Sequence, residues 1–289
     1  MLTITPPLQR TPQRIVSLVP SLTEVLFAFG LEPHIVGITD YCVEPQPQVR
    51  AKDRLGGTKN PDIEAILQLT PDLVVANVEE NRREDIECLQ SRGISVFICF
   101  PQTVVEAMMT LRMLAQVTGA EMQALPVLAR INSAYEQTQA LTTGRRKVRV
   151  FCPIWKHPWM TINRETFIHD MLDVCGGANV FAERERRFPL AADLGQHPEG
   201  EATPVMGRDR RYPRVSLDEM AGLMPEVILL PNEPYRFSEA DRVDFSAFPQ
   251  VPAVHKNRIH VIDGKIVCWY WSRMDECLET LRQLLRLEG

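Results

Sequence analysis

Nowhere in its 289 residues does the chain hold about 20 consecutive apolar residues, the length a helix needs to cross a bilayer, so no membrane span is expected. The opening MLTITPPLQRTPQR lacks the apolar core and small-residue cleavage site of a signal peptide. As it stands, the sequence reads as cytoplasmic; with a leader already removed it would be periplasmic or extracellular. Basic charge is also short. A formal net charge of −5 gives no basic face for phosphates, so no nucleic acid partner is expected. The seven cysteines (Cys42, Cys88, Cys99, Cys152, Cys175, Cys268 and Cys277) include no pair separated by two residues, which removes the usual zinc and redox spacings. Their odd number, with Cys88, Cys99 and Cys175 in apolar runs, reads as buried free thiols, which favours a reducing compartment. Histidines are scattered singly, without the i, i+4 pair of a zinc helix, so no metal site is expected. Gly-x-Ser-x-Gly, Walker and Gly-x-Gly-x-x-Gly motifs are all missing. Asp40, Glu44, Asp53 and Asp62 flank one irregular segment and read as solvated loop acids. Nothing assembles a nucleophile, a base and an orienting group, and the chain is not expected to be an enzyme.

What the chain does have is a repeat. Residues 63–76 read IEAILQLTPDLVVA and residues 217–230 read LDEMAGLMPEVILL. Pro71 and Pro225 lie 154 positions apart, and at that offset Glu64 meets Asp218, Leu69 meets Leu223, and Asp72 meets Glu226. Each copy is a short amphipathic helix, a proline stop and an apolar run, the pattern of a helix feeding a buried parallel strand. The chain is long enough for two domains, and its 45% hydrophobic and 24% charged content is that of a globular protein. Two copies imply two α/β lobes, and two lobes imply a cleft for a ligand.

Along the chain, strands are expected at 14–19, 35–38, 73–77 and 94–100, alternating with helices, which argues for a parallel sheet covered by helices. Ser21 and Glu24 have the spacing of a capping box for the first helix, and Gly30 suits its end. Residues 103–141 are helix-rich without a strand; Gly119 divides them, and Pro126 marks the start of the second helix or kinks it. The second half repeats the plan with strands at 148–152 and 259–262, the repeat helix and strand of 217–230 between them, and a closing helix at 275–287. The expected layout is an N-terminal lobe at 1–118, a linking backbone helix at 119–144 and a C-terminal lobe at 145–289. That last lobe carries a long polar loop at 181–215, whose charges, four prolines and lack of periodicity suit a mobile segment or a lid.

Four segments carry a family resemblance: RIVSLVPSLTEVLFAFG, PDIEAILQLTPDLVVA, FIHDMLDVCGGANVF and YPRVSLDEMAGLMPEVILL. Together they resemble the helical-backbone (class III) substrate-binding proteins of cobalamin and iron-siderophore ABC transporters, over nearly the whole chain and most of all the cobalamin binders. The resemblance implies two Rossmann-like α/β lobes with parallel sheets joined by one long helix, and a corrinoid, cobalamin, as bound ligand rather than cofactor. It also implies an ABC permease as partner, met by one acid from each lobe, here Glu64 and Asp218. Bidentate pairing of such carboxylates with arginines would fix orientation. Each is equally a first-turn acid favoured by its helix dipole.

Aromatics in the expected ligand loops are Tyr41, Trp155, Trp159, Tyr212, Trp269, Tyr270 and Trp271. In open α/β sheets these loops, beyond the carboxyl ends of strands, carry ligands. A flat macrocycle with apolar faces and amide edges suits such rings. Trp159 and Tyr212 match ligand-facing positions of the cobalamin binders, and Tyr41 matches one less closely; packing is the competing role for each. One departure stands out. Where cobalamin binders place a tryptophan before the first repeat helix, this chain has Gly57-Thr-Lys-Asn60, so Lys59 takes the ring's place. A lysine there suits a siderophore carboxylate, a haem propionate, or the phosphate or an amide of a cobalamin. A ferric siderophore or haem therefore remains an alternative ligand. A cytoplasmic corrinoid-handling enzyme or chaperone, and a sensor reporting ligand to a protein partner, remain alternative functions.

Overall fold

The computed structural model describes residues 2–188, 192–193 and 209–286. Of the expected 181–215 loop, 189–191 and 194–208 lie outside the described residues. The chain divides into two compact units: Met1–Ser133 with Tyr270–Met274, and Ala134–Trp269 with Asp275–Gly289.

In the first unit the elements run β1 (Leu2–Thr5), β2 (Ile15–Ser17), α1 (Pro20–Ala28), β3 (Ile35–Ile38), the two-residue strands β4 (Asp53–Arg54), β5 (Gly56–Gly57) and β6 (Asn60–Pro61), then α2 (Ile63–Gln68), β7 (Leu73–Asn77), α3 (Arg83–Ser91), β8 (Ser95–Cys99) and α4 (Val104–Thr118). Six strands form one sheet in the order β1-β8-β7-β2-β3-β4. All neighbours are parallel except β1, which pairs antiparallel with β8. All five residues of β7 are buried, as expected of a central parallel strand covered on both faces. Val16, Leu18, Ile66, Val74 and Val96 are part of the core beneath it.

Two readings of this half change. The sequence starts the sheet at Arg14, whereas Leu2–Thr5 adds an edge strand ahead of it. The capping box is absent as well. Pro20 takes the first helical position, where its missing N–H costs nothing, and Val19 precedes it with no side-chain cap. Ser21 is thereby inside α1, and its buried hydroxyl has no partner among the described residues. Glu24, 7% exposed, instead accepts hydrogen bonds from the Ser272 hydroxyl at 2.8 Å and from its N–H at 3.3 Å. Thr103 does cap α4, and Gly119 closes it in the left-handed region at φ 68°.

α5 (Glu121–Thr142) follows, with Pro126 inside it rather than at its start, and the division between units falls within its length. The second unit continues with β9 (Val148–Phe151), β10 (Pro153–Trp155), β11 (Met160–Thr161), α6 (Phe167–Val174), β12 (Gly177–Asn179), α7 (Leu217–Gly222), β13 (Val227–Pro231), α8 (Pro252–His255), β14 (Ile259–Ile262), α9 (Lys265–Cys268) and α10 (Met274–Leu284). Its sheet is four-stranded, in the order β12-β9-β13-β14, and every pair is parallel. β10 and β11 form a separate antiparallel hairpin. Phe151, Met220, Ile228, Leu230 and Phe245 are part of this core. Burial pushes the thiols of Cys99, Cys152 and Cys175 up to about 12, so they stay protonated and unreactive. Cys88 is half-buried rather than buried.

The repeat is a mechanical device as well as a pattern. At the end of α2 the Arg14 Nε donates to the Leu69 carbonyl at 2.9 Å; at the end of α7 the Arg149 Nε donates to the Leu223 carbonyl at 3.0 Å. These carbonyls are among those a helix end leaves unpaired. The next residues, Thr70 and Met224, both turn into the left-handed region, at φ 44° and 49°. Past each proline an acid anchors the first parallel strand of its unit. Asp72 accepts the Gln13 and Arg14 N–H groups at 2.9 Å, and Glu226 accepts the Arg149 N–H at 3.0 Å. One latch thus ties helix, turn and two strands together in each unit.

Candidate functional site

In the second unit the chain leaving β9 and β13 at their carboxyl ends builds a graded series of aromatic rings. Trp155, 42% exposed, stands edge-on to Tyr235 with centroids 5.6 Å apart. Tyr235 lies 4.7 Å from Phe237, and Phe237 stacks on Trp159 at 5.8 Å and 13°. Trp159 meets the fully buried Phe245 at 5.6 Å, and Phe245 meets Phe151 in the core. The series runs from solvent at Trp155 to the hydrophobic core at Phe245, through edge, tilted and stacked pairs.

Lys156 lies between the two tryptophans. Its ammonium is 2.7 Å from Asp241 and 2.5 Å from Asp244, and 5.8 Å from the centre of the Trp159 ring. Burial works against the Lys156 charge, but hydrogen bonds and charges from both aspartates outweigh it and raise the amine. Asp241 shows the reverse: burial pushes it up, while Lys156 and the Ser238 donors hold it below the ordinary carboxylate range. Tyr235, Phe237, Lys156, Asp241 and Asp244 are all missing from the sequence reading. The signal for the two rings was available, since Pro231-Asn-Glu-Pro-Tyr-Arg-Phe237 follows the strand of the second repeat.

Trp269 is 8% exposed, with its indole N–H donated to Glu233 at 3.1 Å and the Lys265 amine 5.3 Å from its ring. Burial raises the Glu233 carboxyl, against the pull of Trp269 and Lys265. Tyr212 is half-buried, with the Arg211 guanidinium 5.2 Å from its ring.

The first unit holds fewer rings in its loops. Tyr41, beyond β3, is 63% exposed. It lies against the β5–β6 hairpin: a Cβ at Gly57 would come within 3.4 Å of the Tyr41 ring and 2.4 Å of the Asn60 side-chain oxygen. A side chain at Gly57 would have to displace the exposed Asn60 amide. Lys59 is exposed at the hairpin tip, with its ammonium donating to the Glu79 carbonyl. Tyr270 and Trp271 belong to this unit and are 4% and 5% exposed. The Tyr270 hydroxyl accepts from the Asn77 amide at 2.5 Å, and burial drives its pKa well above the ordinary tyrosine value. The Arg273 guanidinium lies 4.0 Å from the Trp271 ring centre. The three consecutive aromatics thus divide between the units, all buried, whereas Trp155 and Tyr41 are open to solvent.

Glu64 and Asp218 are both exposed, in the first turns of α2 and α7. Asp62 caps the start of the first of these helices, and a Ser216–Glu219 capping box starts the second. Among the described residues no group of three His, Cys, Asp or Glu side chains is placed to hold a metal ion. No described helix is long and apolar enough to cross a membrane.

Known proteins resemble this chain in sequence and in fold. A vitamin B12-binding protein of Salmonella typhimurium is 31% identical over 189 residues, which cover 64% of this chain and 70% of that one. The solved periplasmic vitamin B12 binding protein BtuF of Vibrio cholerae superposes with a TM-score of 0.75 at 20% identity, covering 95% of this chain and 96% of the other. The periplasmic haem-binding protein RhuT of Roseiflexus superposes with a TM-score of 0.74 at 19% identity, covering 94% and 97%. At these identities the two structures speak for the fold. The family described as periplasmic binding protein matches residues 15–265, and with most of its length inside that match the chain belongs to this family of two-lobed α/β substrate-binding proteins.

Proposed function

We propose that this chain is a non-catalytic receptor that captures a corrinoid, cobalamin in the first instance, and hands it to an ABC-type permease. The observation that carries the reading is the aromatic series of the second unit, ending in solvent at Trp155. A corrin ring presents a broad apolar face with polar amide edges. Ring faces anchored in a core can meet such a face with little loss of side-chain freedom. The Salmonella relative named for vitamin B12 binding supports the same ligand. In the first unit, Tyr41 supplies a second exposed ring and Lys59 a cation. Tyr212, Trp269, Tyr270 and Trp271, being half-buried or buried, support the loops behind these groups. Glu64 and Asp218, exposed at equivalent places of the repeat, are the carboxylates for docking a permease. Capture for a permease takes place outside the cytoplasmic membrane, so a periplasmic location belongs to the same proposal, and cell fractionation checks it.

Lys59 favours one second reading, an acidic ligand such as haem or a carboxylate siderophore. Calorimetric titration with cyanocobalamin, haem and a ferric siderophore separates the two. One-to-one binding of cyanocobalamin at micromolar Kd or tighter is the expected result. Binding of haem or the siderophore without cyanocobalamin would transfer the function to that ligand.

A further inference from the structure

Trp155 and Trp159 stand on a hairpin too small to hold itself. β10 and β11 supply three and two residues, and their register shifts between Pro153 and Trp155. Two-stranded hairpins of this kind are marginal in water without further support. On the β11 side the support is backbone, with the Val215 N–H donating to the Trp159 carbonyl at 3.1 Å and the Thr161 N–H to the Pro213 carbonyl at 3.0 Å. At the tip it comes from Lys156, whose side chain is 13% exposed and which reaches Asp241 and Asp244 of the 3-10 helix Glu239–Phe245. Asp241 is itself held, accepting the Ser238 N–H at 2.8 Å and hydroxyl at 2.9 Å. The same short helix ends in Phe245, the buried ring against which Trp159 packs. Stability alone gives little reason for an ion cluster here, because the desolvation of buried pairs offsets most of their attraction. Geometry gives a better one: a single ammonium shared by two carboxylates of one short helix, Asp241 of them anchored by Ser238, admits few positions of the hairpin tip.

We propose that Lys156 is a positioning residue for the ligand. By gripping Asp241 and Asp244 it sets the hairpin tip, and with it Trp155 and Trp159, in the orientation that meets the ligand's face before the ligand arrives. The inference rests on the corrinoid reading for the identity of the ligand. Preorganisation of this sort adds affinity by removing an ordering cost from the binding step.

The test is a cycle of variants titrated with cyanocobalamin. Lys156→Met combined with Asp244→Asn removes the grip, keeps the net charge of the cluster, and leaves Asp241 its bonds to Ser238. It is compared in the wild-type background and with Trp155→Ala. Affinity is expected to fall about tenfold in the wild-type background and clearly less in Trp155→Ala, where only Trp159, itself packed on Phe237 and Phe245, is left to position. An equal loss in both backgrounds would make Lys156 a general structural residue and overturn the proposal, as would unchanged affinity. If the double variant does not fold, Asp244→Asn alone carries the same comparison with a loss of about threefold. A wild-type chain that binds haem or a ferric siderophore but not cyanocobalamin removes the corrinoid reading only, and the cycle is then read with the ligand that binds. A chain that binds none of the three overturns both.

Discussion

The two units share a scaffold and differ in what they mount on it. In both, an arginine takes the last carbonyls of a short helix, a left-handed residue precedes a proline, and an acid anchors the neighbouring strand: Arg14, Thr70 and Asp72 in one, Arg149, Met224 and Glu226 in the other. Beyond the strand ends the likeness stops. The second unit carries Trp155, Tyr235, Phe237 and Trp159 in continuous contact with its core. The first offers Tyr41 as its one exposed ring among the described residues, and the charged tip at Lys59. A duplicated frame needs the same caps and turns wherever it recurs, because helix ends and strand starts leave the same groups unpaired. Loops beyond the frame carry no such obligation, and there the halves have become unlike. The ligand should therefore depend more on the second unit than on the first.

The largest expected effect probes the root of the aromatic series. Phe245→Ala should destabilise the second unit by about 3–5 kcal/mol, the range for truncating a buried aromatic, whereas Tyr41→Ala should leave the melting temperature near wild type; thermal denaturation compares them. Next comes Trp155→Ala, expected to weaken cyanocobalamin binding by about 1–3 kcal/mol, the range of an interface anchor, with little change in stability. The shared latch predicts similarity rather than contrast. Asp72→Ala and Glu226→Ala should each cost about 1–2 kcal/mol in denaturant unfolding, the worth of charge-assisted hydrogen bonds at partly exposed sites. A large cost in one and none in the other would show that the two latches are not equivalent.

The smallest effects concern pH, and they have opposite signs in the two units. Burial raises the Glu24 carboxyl above its ordinary 4.5, against the Ser272 hydrogen bonds and the charge of Arg273. A raised acid holds its proton more tightly folded than unfolded, so its contribution is present below 4.5 and is lost as pH rises through the raised value. Asp241 ends below its ordinary 3.8, so its contribution is present above 3.8 and is lost as pH falls through the lowered value. Glu24→Gln should flatten the loss of stability on the rising side, and Asp241→Asn the loss on the acid side, in denaturation curves collected across pH.

How much of this was legible in the sequence depended on range. The two repeat strands are written in continuous apolar runs, and β7 falls on the residues those runs indicate, Leu73–Asn77. Signals that compete locally misled. Ser21 and Glu24 have capping spacing, but Pro20 starts the helix ahead of them, and Glu24 pairs with Ser272, 248 residues away. β1 was hidden because four residues carry little periodicity and its partner, β8, is remote in sequence. The aromatics show the same limit. Sequence places Trp269, Tyr270 and Trp271 in one loop, but only tertiary partners reveal their burial: Glu233 for the first and Asn77, 193 positions away, for the second. Tyr235 and Phe237 escaped notice among the polar and proline residues after β13, although that position beyond a parallel strand is where ligand loops belong.

The most direct test of the asymmetry is the cyanocobalamin affinity of Trp155→Ala measured beside that of Tyr41→Ala and wild type. The account predicts tight one-to-one binding by wild type, a loss of about tenfold or more for Trp155→Ala as for an interface anchor, and a clearly smaller loss for Tyr41→Ala. Equal losses, or a Trp155→Ala protein that binds as wild type does, would contradict it.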